Sequence, residues 1–100
     1  MDVIFKSLDP EVILQQVNMR LNKSSLRNMV SLVLEEDRLI MTVSKLGKSK
    51  IYLKLEKGES EIRFTVEEEN IRPQHRPLRS FVLDEICNIL EQSGGTIIGR

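Results

Sequence analysis

Tryptophan and alanine are absent from the 100-residue chain, and cysteine, histidine and tyrosine each occur once. A single thiol, Cys87, can neither close an internal disulfide nor supply a thiolate cage for a metal, which points to a reducing, cytoplasmic setting. In that setting Asn22-Lys23-Ser24 has only the form of a glycosylation acceptor. The lone His75 excludes paired-histidine metal sites, so no metal is expected. Charge of one sign is not in excess: 15 basic residues face 15 acidic ones. That balance removes any bulk electrostatic pull toward nucleic acid or anionic membrane and leaves only local patches. No run of about 18 apolar residues is present, which excludes insertion as a membrane helix. Met1-Asp2-Val3-Ile4-Phe5 lacks the basic flank and long apolar stretch of a signal peptide. No glycine-rich loop joins a strand to a helix, so phosphate cradles are missing and no cofactor is expected.

What is present is patterned. Hydrophobic residues make up 40% and charged residues 30% of the chain, enough for one domain over residues 1–100 at the usual size of roughly 100–150 residues. Asp9-Pro10 opens a helix, with aspartate as N-cap and proline at the first helical position. Ile13, Leu14, Val17 and Leu21 recur at helical spacing, and fraying is expected near Lys23-Ser24-Ser25. Val3-Ile4-Phe5, within an N-terminal segment 1–8, reads either as a short edge strand or as an apolar arm.

From about residue 28 the period changes from 3.6 to 2. With Glu36-Asp37 as a two-residue turn, Leu34 faces Leu39, Leu32 faces Met41 and Val30 faces Val43, while Glu35 meets Arg38. Aspartate is the turn residue expected to take the left-handed backbone. After a loop over 45–48, Ile51, Leu53 and Leu55 form a third strand, and Ile62, Phe64 and Val66 a fourth. Pairing Leu55 with Phe64 sets Glu56 against Arg63; the alternative register opposes like charges, so the first is expected. A second helix runs from about Pro77 to Gln92, with Leu78, Val82, Ile86 and Ile89 as its stripe, widened by Phe81, Leu83 and Leu90, and Gly94-Gly95 as its stop. In the tail 94–100, Thr96-Ile97-Ile98 is either a returning strand or a frayed end.

The sum is an α+β fold: a four-stranded antiparallel meander with two helices packed on one face. Phe64, Leu53, Met41 and Leu32 are expected to meet Val17, Leu21, Phe81 and Ile86 in the core. With Val3-Ile4-Phe5 as a strand, the order strand, helix, four strands, long helix resembles a helix-grip topology of the START-like or cystatin-like kind. That resemblance covers order and length only and carries no functional residues across.

Three places can hold function. On the sheet's outer face, Val33, Ile40 and Tyr52 form a small apolar centre with a polar rim, the composition of a contact with another protein or a second copy. After Glu67-Glu68-Glu69, the segment from Asn70 to Arg79 brings Arg72, His75, Arg76 and Arg79 toward the start of the second helix, where an anion would be welcome. The counter-reading is that the arginines neutralise the three glutamates. Third, Met41, Leu53, Phe64 and Phe81 can line a pocket for an apolar small molecule or lipid. The absence of alanine argues that bulky side chains fill that space.

Nucleic acid ranks third, through the 72–79 arginine loop; on the sheet face one tyrosine beside Lys48, Lys50, Lys54 and Arg63 is a poor stacking platform. Catalysis would need His75 beside Ser80 or Cys87, oriented by Asp84 or Glu85. Periodicity instead makes Cys87 a buried thiol and His75 a solvated loop residue. The sequence therefore reads as a non-enzymatic interaction module, possible as a homodimer, with a hydrophobic-ligand carrier as the alternative.

Overall fold

The computed structural model of the chain describes residues 1–7, 9–44 and 47–99. Its elements are β1 (Asp2–Phe5), α1 (Pro10–Leu21), β2 (Val30–Glu35), β3 (Arg38–Val43), β4 (Ser49–Lys57), β5 (Ile62–Asn70), a 3-10 segment (Pro73–Leu78), α2 (Arg79–Gln92) and β6 (Gly95–Ile98). The strands form one antiparallel sheet in the order β2-β3-β4-β5-β1-β6. The α+β class stands, but the expected four strands are six. Val3-Ile4-Phe5 is a short strand rather than an arm, but not an edge: β1 sits inside the sheet, paired with β5 on one side and β6 on the other. A four-residue segment carries too few alternations for its neighbours to be read from pattern.

The meander follows side-chain chemistry. Leu34 faces Leu39, Leu32 faces Met41, Val30 faces Val43 and Glu35 faces Arg38, as the alternation requires. In the turn, however, Glu36 rather than Asp37 takes the left-handed backbone, at φ 54°. The Asp37 carbonyl then accepts from Leu55 N–H at 2.7 Å, which ties the turn to β4. Leu55 faces Phe64 and Glu56 faces Arg63, the register favoured by charge. Of the expected loop over 45–48, Lys45 and Leu46 lie outside the described residues, as do Leu8 of the N-terminal segment and Arg100 of the tail.

α1 begins where the cap predicts: the Asp9 carboxylate accepts from Glu11 N–H at 3.0 Å and Val12 N–H at 3.4 Å. Beyond Leu21 the Ser24 hydroxyl donates to Leu21 O and accepts from Leu26 N–H, folding the chain so that Leu26 is fully buried. α2 begins at Arg79, two residues later than expected, because Pro73–Leu78 takes 3-10 geometry. Gly94, at φ 100°, turns the chain back after α2. A Cβ on Gly95 would lie 2.9 Å from both Leu90 O and Phe5 Cζ, so only glycine lets β6 pass there.

Both helices lie on the same face of the sheet. Ile13, Val17 and Leu21 of α1 and Val82, Ile86, Ile89 and Leu90 of α2 share one buried cluster with Val3, Phe5, Leu32, Leu39, Met41, Ile51, Leu53, Ile62 and Phe64. Phe5 and Phe64 meet edge to face, with ring centroids 6.1 Å apart. Phe81 does not join them: its side chain is 49% exposed, and Leu78 is also exposed. Val82 and Ile86 of α2 face inward, which turns Phe81, one residue before Val82, outward.

Two stability measurements follow. Phe64→Ala should cost about 3–5 kcal/mol in urea denaturation, whereas Phe81→Ala should cost less than about 1 kcal/mol. Glu36→Gly should stabilise the hairpin by roughly 1 kcal/mol, since it removes the left-handed strain, and a raised urea midpoint at constant slope would show it.

Candidate functional site

With the helices on one face, no second layer covers the opposite face of the sheet among the described residues. Val33, Ile40 and Tyr52 stand in one row across it: Val33 pairs with Ile40, and Ile40 with Tyr52. Val33 is 49% exposed, while Ile40 and Tyr52 are half-buried by their neighbours. The structure thus brings together the three residues of the expected apolar centre. The next row along the strands contains Ser31, Thr42, Lys50 and Asn70.

A bulge decides what surrounds Tyr52. Between Tyr52 and Leu53 the β4–β5 register slips: Leu53 pairs with Val66, but Tyr52 pairs with Glu68, leaving Glu67 as the extra residue. Without the slip three consecutive glutamates would alternate between faces. With it, Glu67 and Glu68 both reach Arg38, at 3.5 Å and 3.7 Å. The guanidinium carbon of Arg38 lies 4.5 Å from the centroid of the Tyr52 ring, a cation–π arrangement worth about 0.5–1 kcal/mol when exposed. Arg38 Nε is buried there without an aligned hydrogen bond. The bulge also moves Glu69 opposite Ile51, onto the helix face. There it receives a two-pronged contact from Arg79, at 2.9 and 3.1 Å.

The arginine segment is correspondingly divided. Arg79 is paired with Glu69 and lines a cleft beside α2, together with Ser80, Asp84 and Cys87. Arg72 turns the other way, its Nε donating to Lys48 O at 3.3 Å, and lines a separate cleft with Lys48, Lys50 and Asn70. Arg76 is exposed. His75 corrects the sequence reading: it is buried, at 4% exposure. The Ser49 hydroxyl accepts from Arg72 N–H at 2.8 Å and shares a second hydrogen bond with His75 Nδ1. Four residues expected around one anion therefore occupy different environments. The glutamates are neutralised in part as the counter-reading has it, by Arg79 at Glu69, but Arg38 serves Glu67 and Glu68.

His75 contacts Ser49, and the buried Cys87 Sγ lies 3.7 Å from Met1 Sδ. Among the described residues no group of three or more His, Cys, Asp and Glu is placed to hold a metal. Met41 and Leu53 are buried in the core. Two small clefts lined by core residues measure about 10 and 20 Å³; the first is lined by Phe64, and neither by Met41, Leu53 or Phe81.

Sequence reasoning missed Ser49, the seat of Glu67 and Glu68 on Arg38, and the basic cleft. Three glutamates in a row at the end of a strand were the available signal, since strict alternation would send the middle one toward the helices. No family model matches the chain, and no curated protein or solved structure matches it significantly.

Ser49→Ala would leave the Arg72 N–H and His75 Nδ1 without their shared partner. A loss of about 1–3 kcal/mol is expected in urea denaturation, with Ser44→Ala, an exposed neighbour, as the silent control.

Proposed function

We propose that this chain is a non-enzymatic interaction module that docks on another protein, or on its own copy, through the outer face of its sheet at Val33, Ile40 and Tyr52. The observation that carries the reading is the row itself: three apolar side chains in cross-strand register on a face that no element covers among the described residues. Tyr52 is held from above by Arg38, and Arg38 by two carboxylates. Tyrosine and arginine are the residues that most often dominate contact energetics, and their ordering here lowers the entropy lost on docking. Lys50, Lys54, Thr42 and Glu35 supply the polar rim.

A carrier for hydrophobic molecules is the alternative. The element order supports its helix-grip likeness, with β6 added after the long helix. Its weakness is space: clefts of about 10 and 20 Å³ in the core stand against the roughly 300–1,000 Å³ usual for a ligand pocket. Nucleic-acid or anion binding through the arginine loop over 72–79 is the third reading; it is weakened because Arg79 is paired with Glu69 while Arg72 turns toward Lys48. A cytoplasmic setting fits the single buried cysteine, and among the described residues no helix is long and apolar enough to cross a membrane.

The test is size-exclusion chromatography with light scattering over a range of concentrations, together with capture of binding proteins from the native cell. Ile40→Asp and Tyr52→Asp should leave the unfolding free energy from urea denaturation within about 1 kcal/mol of wild type. Each should weaken self-association or partner binding by roughly tenfold or more. A monomer at every concentration, capturing the same partners with or without the substitutions, overturns the reading.

A further inference from the structure

Net charge is zero over the chain, yet the charges are sorted. Lys48, Lys50 and Arg72 converge on an open cleft of about 520 Å³, completed by Asn70, Ile71 and Pro73, with no carboxylate in its lining. The acids nearest in sequence are held elsewhere: Glu67 and Glu68 by Arg38 on the outer face, Glu69 by Arg79 on the helix face. Among the described residues none of the three cations has a carboxylate within 4.0 Å. Arg72 is nevertheless positioned, since its backbone N–H is bonded to Ser49 and its Nε to Lys48 O. Its two terminal nitrogens are left to meet an anion.

The cleft also adjoins the apolar row. Lys50 and Tyr52 are two positions apart on one strand and point to the same face, a spacing of about 7 Å. An extended peptide advances by about the same distance over two residues, so an acidic side chain seated between Lys48, Lys50 and Arg72 would deliver following apolar side chains onto Tyr52 and Ile40. Resting on the sheet-face reading above, we propose that the partner presents an acidic segment. Its carboxylates occupy the Lys48–Lys50–Arg72 cleft and its neighbouring apolar residues cover Tyr52, Ile40 and Val33. A polynucleotide fits less well. Its evenly spaced phosphates would run from the cleft against Glu67 and Glu68, and Tyr52, already capped by Arg38, offers no free stacking face on that side.

The probe is the hexapeptide Glu-Glu-Glu-Leu-Val-Leu, titrated into the isotope-labelled full chain and followed by amide chemical shifts. Its analogue Gln-Gln-Gln-Leu-Val-Leu and a six-nucleotide oligothymidylate serve as comparisons. The acidic peptide should shift the amides of Lys48, Lys50, Asn70 and Arg72 together with that of Tyr52, and the glutamine analogue should leave the first four in place. Arg72→Gln and Lys50→Gln, each with an unchanged pattern of dispersed resonances, should weaken the acidic peptide by roughly tenfold. Equal shifts from both peptides, or none at the four cleft amides, overturn the proposal. If Val33, Ile40 and Tyr52 still respond in that case, the sheet-face reading survives alone; if nothing responds, the acidic segment falls and the sheet-face reading is decided by the self-association and capture measurements above. Tighter binding of the oligothymidylate than of the acidic peptide replaces the acidic segment with a nucleic acid.

Discussion

The pairing of β4 with β5 is the contact on which the remainder of the molecule turns, because it holds two phases in one pair of strands. Through Leu53 and Leu55, opposite Val66 and Phe64, the pair presents a continuous apolar face to the helices. One residue further, the extra Glu67 reverses the alternation of β5 relative to β4. A regular ladder would have directed Glu68 toward the helix layer, beside Ile51, and placed Glu67 and Glu69 on the outer face. Isolating a carboxylate among apolar groups is costly unless it is paired. The slip instead leaves two glutamates together on the solvated face, where a single arginine meets both, and sends one to the mouth of the helix layer, where Arg79 waits. Register, charge and helix position are thereby coupled at one irregularity.

That coupling explains what could and could not be read from the residues. Where the pattern is long and its two faces differ in kind, as in Val30–Glu35 against Arg38–Val43, a one-residue error would invert every side chain, and the register is legible. The same holds for Glu56 against Arg63, chosen by charge alone. The N-cap at Asp9 is legible because one carboxylate and one proline satisfy a known deficit of donors. β1 and β6 are too short for periodicity, and their pairing with each other joins the two ends of the chain, a relation that no local signal records. Phe81 was misplaced for another reason: Val82, Ile86 and Ile89 face inward as their spacing requires, but the stripe was widened by one residue too many, and Phe81 lies on the side of α2 away from the sheet.

The candidate site divides along the same line. Val33, Ile40 and Tyr52 were legible because they follow directly from the register. The arginine cluster was not, since convergence was inferred from closeness in sequence. In space Pro73–Leu78 separates Arg72 from Arg79, one reaching toward the start of β4 and the other toward the end of β5. His75 lies between them and points inward, where the hydroxyl of Ser49 gives it a polar partner. Ser49 occupies a core-facing position, opposite Val43, so its small polar side chain breaks the pattern of the strand. That break is the local signature of the contact, since a buried hydroxyl at the start of a strand needs a partner.

The same bonds tie structure to surface. Ser49 holds the backbone of Arg72, and Arg72 reaches back to the carbonyl of Lys48, so the connection from β5 to α2 is fastened to the connection entering β4. The basic cleft is framed by these two connections, with a buried pair beneath it rather than loose surface chains. A lysine on an unsupported loop loses much of its Coulomb gain to side-chain entropy and solvent. A guanidinium whose backbone and Nε are already bonded gives up less freedom on meeting an anion. The order that the core imposes on residues 48–50 and 70–75 is therefore what separates this cleft from the other cations of the surface, such as Arg38 and Arg79, whose charges the fold has already spent on its own glutamates.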